Sequence, residues 1–403
     1  MLQSRAAINI ARVMFSRRTH WDLQTSALAE AWVARQQSDE PAFDLTESNP
    51  TAAGFVVDLS GVASALSRGA AAGYRPVPFG LLSPRQAVAD YYRRDHAIEM
   101  DPEYLVLTVS TSEAYSFLFR LLCDPGDEVL ITQPSYPLFD FLATLDDVAL
   151  RPTELFYDDG WHLDRMALEA AISPRTKAIL LVHPNNPTGH STSAADRTWL
   201  DAICAQRDLA VIVDEVFLDY PLGAGQPSFL SGDAQALTFV LSGLSKISGL
   251  PQMKLAWIAA HGPEDLVRQA LERLEVIADT FLSVSTPMQL ALPALLEIRH
   301  QMRPQILARL QTNLDILDEL LGKQKLVTRL KVEAGWYAVL RLPALENSEA
   351  AAIRLVKEIG VYVHPGGFFG FGLEGVAVVS LLTREDTFSE GISLLLNHMQ
   401  NFE

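Results

Sequence analysis

Five short runs restrict the fold more than any other feature of the chain. "YLVLTVS" (104–110), "EVLITQ" (128–133), "KAILLVH" (177–183), "LAVIVDEV" (209–216) and "TFVLSG" (238–243) lack the polar alternation of a half-exposed strand. Strands that read this way are covered on both faces, as in a parallel α/β sheet with helices on either side. Helical patterns fall between them, at 112–122 behind "STSEA" and at 196–207 behind "TSAADR". A further helix is expected over 84–95, with Ser83 as N-cap and Pro84 at the first helical position. The order predicts an α/β chain with a large, doubly wound, mainly parallel sheet domain over roughly residues 50–290.

From about residue 291 the pattern changes. Long helices over 290–322 are followed by "RLKVEAGWYAVLRL", a helix at 347–359, "GVYVHPG", "GVAVVSLL" and a closing helix. That order suits a small α+β domain made of residues 1–49 and 291–403, joined by an N-terminal helix near Trp21–Gln36. Nothing repeats at a period of 20–50 residues, and no low-complexity linker separates the halves.

The 403 residues are 49% hydrophobic and 20% charged, enough for a substantial core. A formal charge of −17 disfavours adhesion to nucleic acid or to an anionic membrane, so an anionic ligand needs a local site. Cys123 and Cys204 form no CxxC pair or cysteine/histidine cluster, which argues against a disulfide framework and a zinc site and fits a reducing cytoplasm. No apolar run reaches the length of a membrane span. The first 21 residues carry Arg5, Arg12, Arg17 and Arg18 and no acid. Transit peptides share that composition, but the expectation here is a helix packed on the body.

In open α/β sheets, ligands bind beyond the carboxyl ends of the strands. After the first run come Ser110, Thr111 and Ser112, opening a helix whose free N–H groups and dipole suit an anion. The later runs are followed by Tyr136 in "PSYP", Asn186 in "HPNNPTG", then Asp214, and finally Lys246 in "LSKIS". Singly these are caps, turns and a surface lysine. On consecutive strand ends they form an anion cradle, a flat aromatic, an amide, a carboxylate and an amine. Pyridoxal 5′-phosphate requires that set: a lysine for a Schiff base, an acid against its ring nitrogen, a phosphate site and a stacking ring.

At these residues the sequence resembles the class I/II aminotransferases, fold type I of the aspartate aminotransferase superfamily. The likeness runs from about Asp44 to Thr383 and rests on the NNPTG, DEV and SxxSK-type motifs and their spacing. It implies that Lys246 forms the Schiff base and moves the substrate's proton, that Asp214 pairs with the ring nitrogen, that Asn186 bonds the phenolic oxygen and that Tyr136 stacks on the ring. Thr111 and Ser112 would hold the phosphate, and Ser110 and Ser245 would also bind the cofactor. Tyr74 in "YRPVPFG" looks like the tyrosine that reaches the phosphate of a neighbouring subunit, although its spacing to Gly80 is one residue longer than usual. The resemblance therefore implies a homodimer with shared active sites, moving an amino group between an amino acid or amine and a 2-oxo acid. A C–S lyase, decarboxylase or racemase on the same fold is the alternative, and a catalytically quiet cofactor-binding protein is a third reading.

Three positions depart from the family pattern. The phosphate-binding arginine eight residues after the lysine is Lys254, a point charge in place of a planar fork. The tyrosine three residues after the acid is Phe217, which removes a hydrogen bond to the phenolic oxygen and is expected to keep the Schiff base protonated to higher pH. The arginine that forks the substrate carboxylate is replaced by Val378. Another cation then takes that carboxylate, with Arg341, Arg384 and Lys254 as candidates, or the substrate lacks one there. "TESNPT" (46–51), with Asn49, is either the segment covering the substrate or simply a turn. Phe79, Phe217, Trp336, Phe368 and Phe369 suggest an aromatic mouth or, equally, core packing.

Overall fold

The structure is a computed structural model that describes residues 14–343 and 346–400. The five apolar runs form the strands Leu105–Thr108, Glu128–Gln133, Thr176–Val182, Ala210–Asp214 and Thr238–Gly243. With Ala149–Tyr157, Trp161–Leu163 and Ala256–His261 they build one eight-stranded sheet. Its order from one edge is Leu105–Thr108, Ala256–His261, Thr238–Gly243, Ala210–Asp214, Thr176–Val182, Glu128–Gln133, Ala149–Tyr157 and Trp161–Leu163. The absence of alternation has the expected cause. Ala210 and Ile212 pack into one apolar layer, while Val211 and Val213 pack into the layer on the opposite face.

Two strands run against the rest. Trp161–Leu163 returns along the edge strand Ala149–Tyr157, and Ala256–His261 is antiparallel to both its neighbours, Leu105–Thr108 and Thr238–Gly243. The inserted strand is anchored by Trp257, fully buried, whose indole N–H donates to the Tyr92 hydroxyl at 3.1 Å. Because it runs backwards, its beginning lies at the same sheet edge as the ends of the parallel strands.

The expected helices are present with shifted starts, at Thr111–Leu122, Ala194–Gln206 and Leu82–His96. The third corrects the predicted cap. Leu81, not Ser83, precedes the first turn, and its N–H donates to the Gln289 side chain at 2.7 Å. Pro84 sits inside that turn, where the N–H it lacks has no intrahelical acceptor in any case.

The later half forms a four-stranded antiparallel sheet, ordered Thr328–Arg329, Tyr337–Arg341, Val376–Ser380 and His364–Pro365. Helices Ser348–Ile359 and Glu385–Gln400 accompany it. The N-terminal helix is shorter than expected, Ala27–Gln36, with Ser26 as its cap. It packs on Ser348–Ile359, and Trp32 stacks on Tyr362 at 4.9 Å. Of the basic N-terminal stretch, Arg17 and Arg18 are described; the Arg18 guanidinium meets Asp147 at 3.4 Å. Arg5 and Arg12 lie outside the described residues.

Helices Thr286–Glu297 and Arg299–Leu321 lead from one sheet to the other. The second is pinned by Arg299, 2% exposed, whose Nε and Nη2 grip both Asp95 oxygens at 2.7 and 2.9 Å. Removing one partner of such a pair leaves a charge with little water around it. Arg299→Met should therefore lower unfolding stability by about 3 kcal/mol, read as a shift of the urea midpoint with an unchanged slope.

Candidate active site

A pocket of about 330 Å³ opens at the carboxyl edge of the large sheet, lined by Ser110, Thr111, Ser112, Tyr136, Asn186, Asp214, Phe217, Ser245, Lys246 and Lys254 among others. Ten of the residues singled out in the sequence thus meet in one place. Tyr74 does not join them. It is 74% exposed and borders a separate recess with Arg75, Val77 and Leu282.

Lys246 lies in the four-residue helix Leu244–Ile247, immediately after the strand Thr238–Gly243. Gly243 makes that junction possible. A Cβ there would stand 2.8 Å from the Ala256 Cβ and 3.0 Å from the Leu255 carbonyl, so only glycine lets the strand end lie this close to its antiparallel neighbour. The Leu244 N–H then donates to the Leu255 carbonyl at 3.0 Å, and the Tyr220 hydroxyl donates to the Lys246 carbonyl at 2.5 Å. The Lys246 amine sits 4.6 Å from the Trp336 ring centre and 5.6 Å from that of Phe217. Burial pushes its ammonium down to about 8, against the pull of Asp214.

Asp214 ends the strand Ala210–Asp214 and is buried. Burial raises its carboxyl, while the Tyr115 hydroxyl, the Val216 N–H and the charge of Lys246 oppose that shift in this order. The Tyr115 hydroxyl donates to Asp214 Oδ2 at 2.7 Å, and the Val216 N–H donates to Oδ1 at 3.0 Å.

The loop carrying Asn186 is held by its neighbour. Asn185 accepts from the Thr188 N–H and hydroxyl at 3.2 and 2.8 Å and donates to the Pro134 carbonyl at 3.2 Å. Gly189, at φ +68°, lies so close to the Ala334 carbonyl that a Cβ would come within 2.4 Å. Asn186 itself is buried, and its Oδ1 has no hydrogen-bond partner among the described residues. A buried amide left open toward a pocket suits a ligand.

At the other end the helix Thr111–Leu122 begins with a side-chain cap at Ser110. The Ser110 hydroxyl accepts from the Glu113 N–H at 3.1 Å, and the Glu113 carboxylate accepts from the Val109 N–H at 2.9 Å. Ser110 is thereby committed to the cap, which leaves Thr111 and Ser112 to face an anion. Lys254 approaches the same pocket from the start of the reversed strand, exposed and at φ +48°. Tyr136 lines the wall half-exposed, with burial raising its phenol.

Pyridoxal phosphate can be tested against these groups. The side-chain N–H of Asn186, an acid held by two donors, an amine with a lowered pKa and a helix start beside a lysine match its phenolic oxygen, ring nitrogen, aldehyde and phosphate. The residues fit.

Other expectations are corrected. Of the five aromatics, only Phe217 borders the pocket. Trp336 and Phe369 are buried, Phe79 packs into a core layer, and Phe368 lines a different groove. Arg341 lies over the Tyr157 ring, and Arg384 reaches Asp386 at the surface, so neither lines the pocket. Val378 is fully buried in the small sheet, paired with Val339 and His364. Asn49 accepts from the Thr51 N–H and hydroxyl, the turn reading of that segment, while Ser48 lines the pocket. Ser48 belongs to the segment 46–51 that the sequence offered as a cover for the substrate. Sequence reasoning missed Tyr115 and Tyr337. Tyr115 had a signal, since it lies four residues after Thr111 on one helix face; Tyr337 comes from a strand distant in the chain.

This architecture, a large mostly parallel sheet with a smaller α+β part, is that of fold type I transferases. The chain belongs to the aminotransferase class I and II family, whose model matches residues 44–387. It is similar to Probable aminotransferase TAT1 of Arabidopsis thaliana, 28% identical over 77% of this chain and 71% of that protein. It is also 30% identical to S-alkyl-thiohydroximate lyase SUR1 of the same plant, over 54% of this chain but only 48% of the relative. In structure it resembles an alanine aminotransferase from Pyrococcus furiosus, with a TM-score of 0.87, 21% identity and coverage of 96% of this chain and 100% of that one. The family is generally pyridoxal-phosphate-dependent, and the chain is an enzyme of that family.

The lowered pKa of Lys246 can be read directly on the apoprotein. Labelling by an amine-reactive reagent, followed by peptide mass spectrometry, should reach half its maximal rate near pH 8 at this residue. In Asp214→Asn the midpoint should fall further, because the carboxylate that favours the ammonium is gone.

Proposed function

We propose that this enzyme transfers an amino group between an amino acid or amine and a 2-oxo acid, with pyridoxal 5′-phosphate bound through a Schiff base to Lys246. The observation that carries the reading is the meeting of Lys246, Asp214 and Asn186 in one pocket beside a free helix start. The cofactor, when bound, supplies the electron sink that makes a proton on the substrate's α-carbon removable. Asp214 would hold the ring nitrogen in its protonated form, and the side-chain N–H of Asn186 would donate to the phenolic oxygen. Tyr136 covers the ring, while Thr111, Ser112, Ser245 and Lys254 hold the phosphate. With its pKa near 8, the Lys246 amine is partly neutral at physiological pH, which suits it to take the proton from the α-carbon and return it elsewhere.

The cations that line the pocket are Lys246 and Lys254, and the second is assigned to the phosphate. With valine buried at 378, a substrate carboxylate meets hydroxyls, Ser48 and Tyr337, and the amide of Asn186 instead of a guanidinium. The assembly we infer is a cytoplasmic homodimer of chains divided near residue 290. Tyr74, exposed in the single chain, would complete the phosphate site of its partner. The free cysteines 123 and 204 are consistent with a reducing compartment. Among the described residues no helix is long and apolar enough to cross a membrane.

The likeness to a carbon–sulfur lyase keeps elimination as a second reading. Mixing the holoenzyme with amino acids and amines separates the two. Conversion of the cofactor to its pyridoxamine form supports transfer, whereas release of ammonia with a 2-oxo acid supports elimination. Lys246→Ala should abolish the visible absorbance of the bound cofactor, and survival of that band would remove Lys246 from its role. Phe217→Tyr should lower the pH at which the band titrates, because a phenol donating to the cofactor's oxygen weakens that oxygen's hold on the neighbouring proton.

A further inference from the structure

We propose that Tyr115 is a positioning residue for the cofactor's ring nitrogen, acting through Asp214. The inference rests on the reading that Asp214 meets that nitrogen. The geometry is specific. Each oxygen of Asp214 has its own donor, Tyr115 at 2.7 Å on Oδ2 and the Val216 N–H at 3.0 Å on Oδ1, so the carboxylate cannot rotate without breaking a bond. Tyr115 is itself fixed. It is 2% exposed, and its ring meets Phe139 edge-on at 4.9 Å.

Its place on the helix adds a second constraint. Tyr115 follows Thr111 by four residues, one turn along the same face of Thr111–Leu122. One rigid element thus presents the anion-binding start and, a turn deeper, the donor to the acid. The two ends of a phosphorylated pyridine are spaced by a single helix rather than by two loops.

The chemistry of the pair runs in one direction. A carboxyl taken out of water tends to keep its proton, and a protonated acid cannot hold a ring nitrogen as a cation. Tyr115 is the largest opposing influence on Asp214. Burial and the nearby carboxylate hold the phenol's own proton firmly, so the hydroxyl remains a donor. The ordinary alternative is that a buried hydroxyl has merely found its nearest acceptor.

The two readings part on a cofactor analogue. Apoprotein and Tyr115→Phe are titrated with pyridoxal phosphate and with its 1-deaza analogue, in which a C–H replaces the ring nitrogen, and dissociation constants are read from protein fluorescence. Positioning through Asp214 predicts that the variant loses roughly tenfold in affinity for pyridoxal phosphate and changes little toward the analogue. Equal losses on both ligands would mark a packing role and overturn the proposal, as would no loss on either. Tyr115→3-fluorotyrosine, a stronger donor of nearly the same shape, should tighten pyridoxal phosphate alone. That variant keeps the test decisive if the phenylalanine variant fails to fold. Asp214→Asn supplies the control: if it weakens cofactor binding while Tyr115→Phe does not, only the role of Tyr115 falls. If Asp214→Asn binds as tightly as the wild type, the assignment of the acid falls and that of Tyr115 with it.

Discussion

A carboxylate and an amine share one enclosed pocket without forming a direct ion pair. Each is costly to bury alone. The protein meets the cost at Asp214 with two donors on its oxygens, and at Lys246 by letting the ammonium's pKa fall toward 8. The surrounding architecture maintains that arrangement. The acid ends a central strand, the amine follows the next strand, and the rings of Phe217 and Trp336 lie against the amine.

Strand direction does the assembling. Parallel strands bring their carboxyl ends to one edge, so Tyr136, Asn186, Asp214 and Lys246 converge although more than a hundred residues separate the first from the last. The reversed strand Ala256–His261 extends the convergence. Running against its neighbours, it delivers the residues that precede it, including Lys254, to the same edge. Gly243 allows the two strands to close at that point, and any side chain there would push the lysine's helix away.

The later half supplies the outer wall. Its backbone ties to the Asn186 loop through Gly189, whose carbonyl accepts from the Ala334 N–H at 3.1 Å, and from it Tyr337 reaches the pocket. The same sheet buries Val378 at its centre, while the pocket lining includes the hydroxyl-bearing Ser48 and Tyr337. Neutral donors bind a carboxylate less strongly than a guanidinium fork does.

Much of this was legible in the sequence for physical reasons. A strand covered on both faces has to be apolar throughout, so the central sheet shows as five uninterrupted runs; chemistry placed at strand ends shows as polar residues directly after them. Chain order and the rule that ligands sit beyond carboxyl edges gathered Ser110, Thr111, Ser112, Tyr136, Asn186, Asp214 and Lys246, and the family resemblance added Phe217, Ser245 and Lys254. Side-chain facing and long-range contact leave no local pattern. The sequence alone could not show that Trp336 packs against the Lys246 amine, that Arg341 and Arg384 point elsewhere, that Tyr115 reaches across to Asp214 ninety-nine positions away, or that Tyr337 lines the site. Those outcomes depend on how two sheets and their helices pack, and packing is set by the whole chain at once.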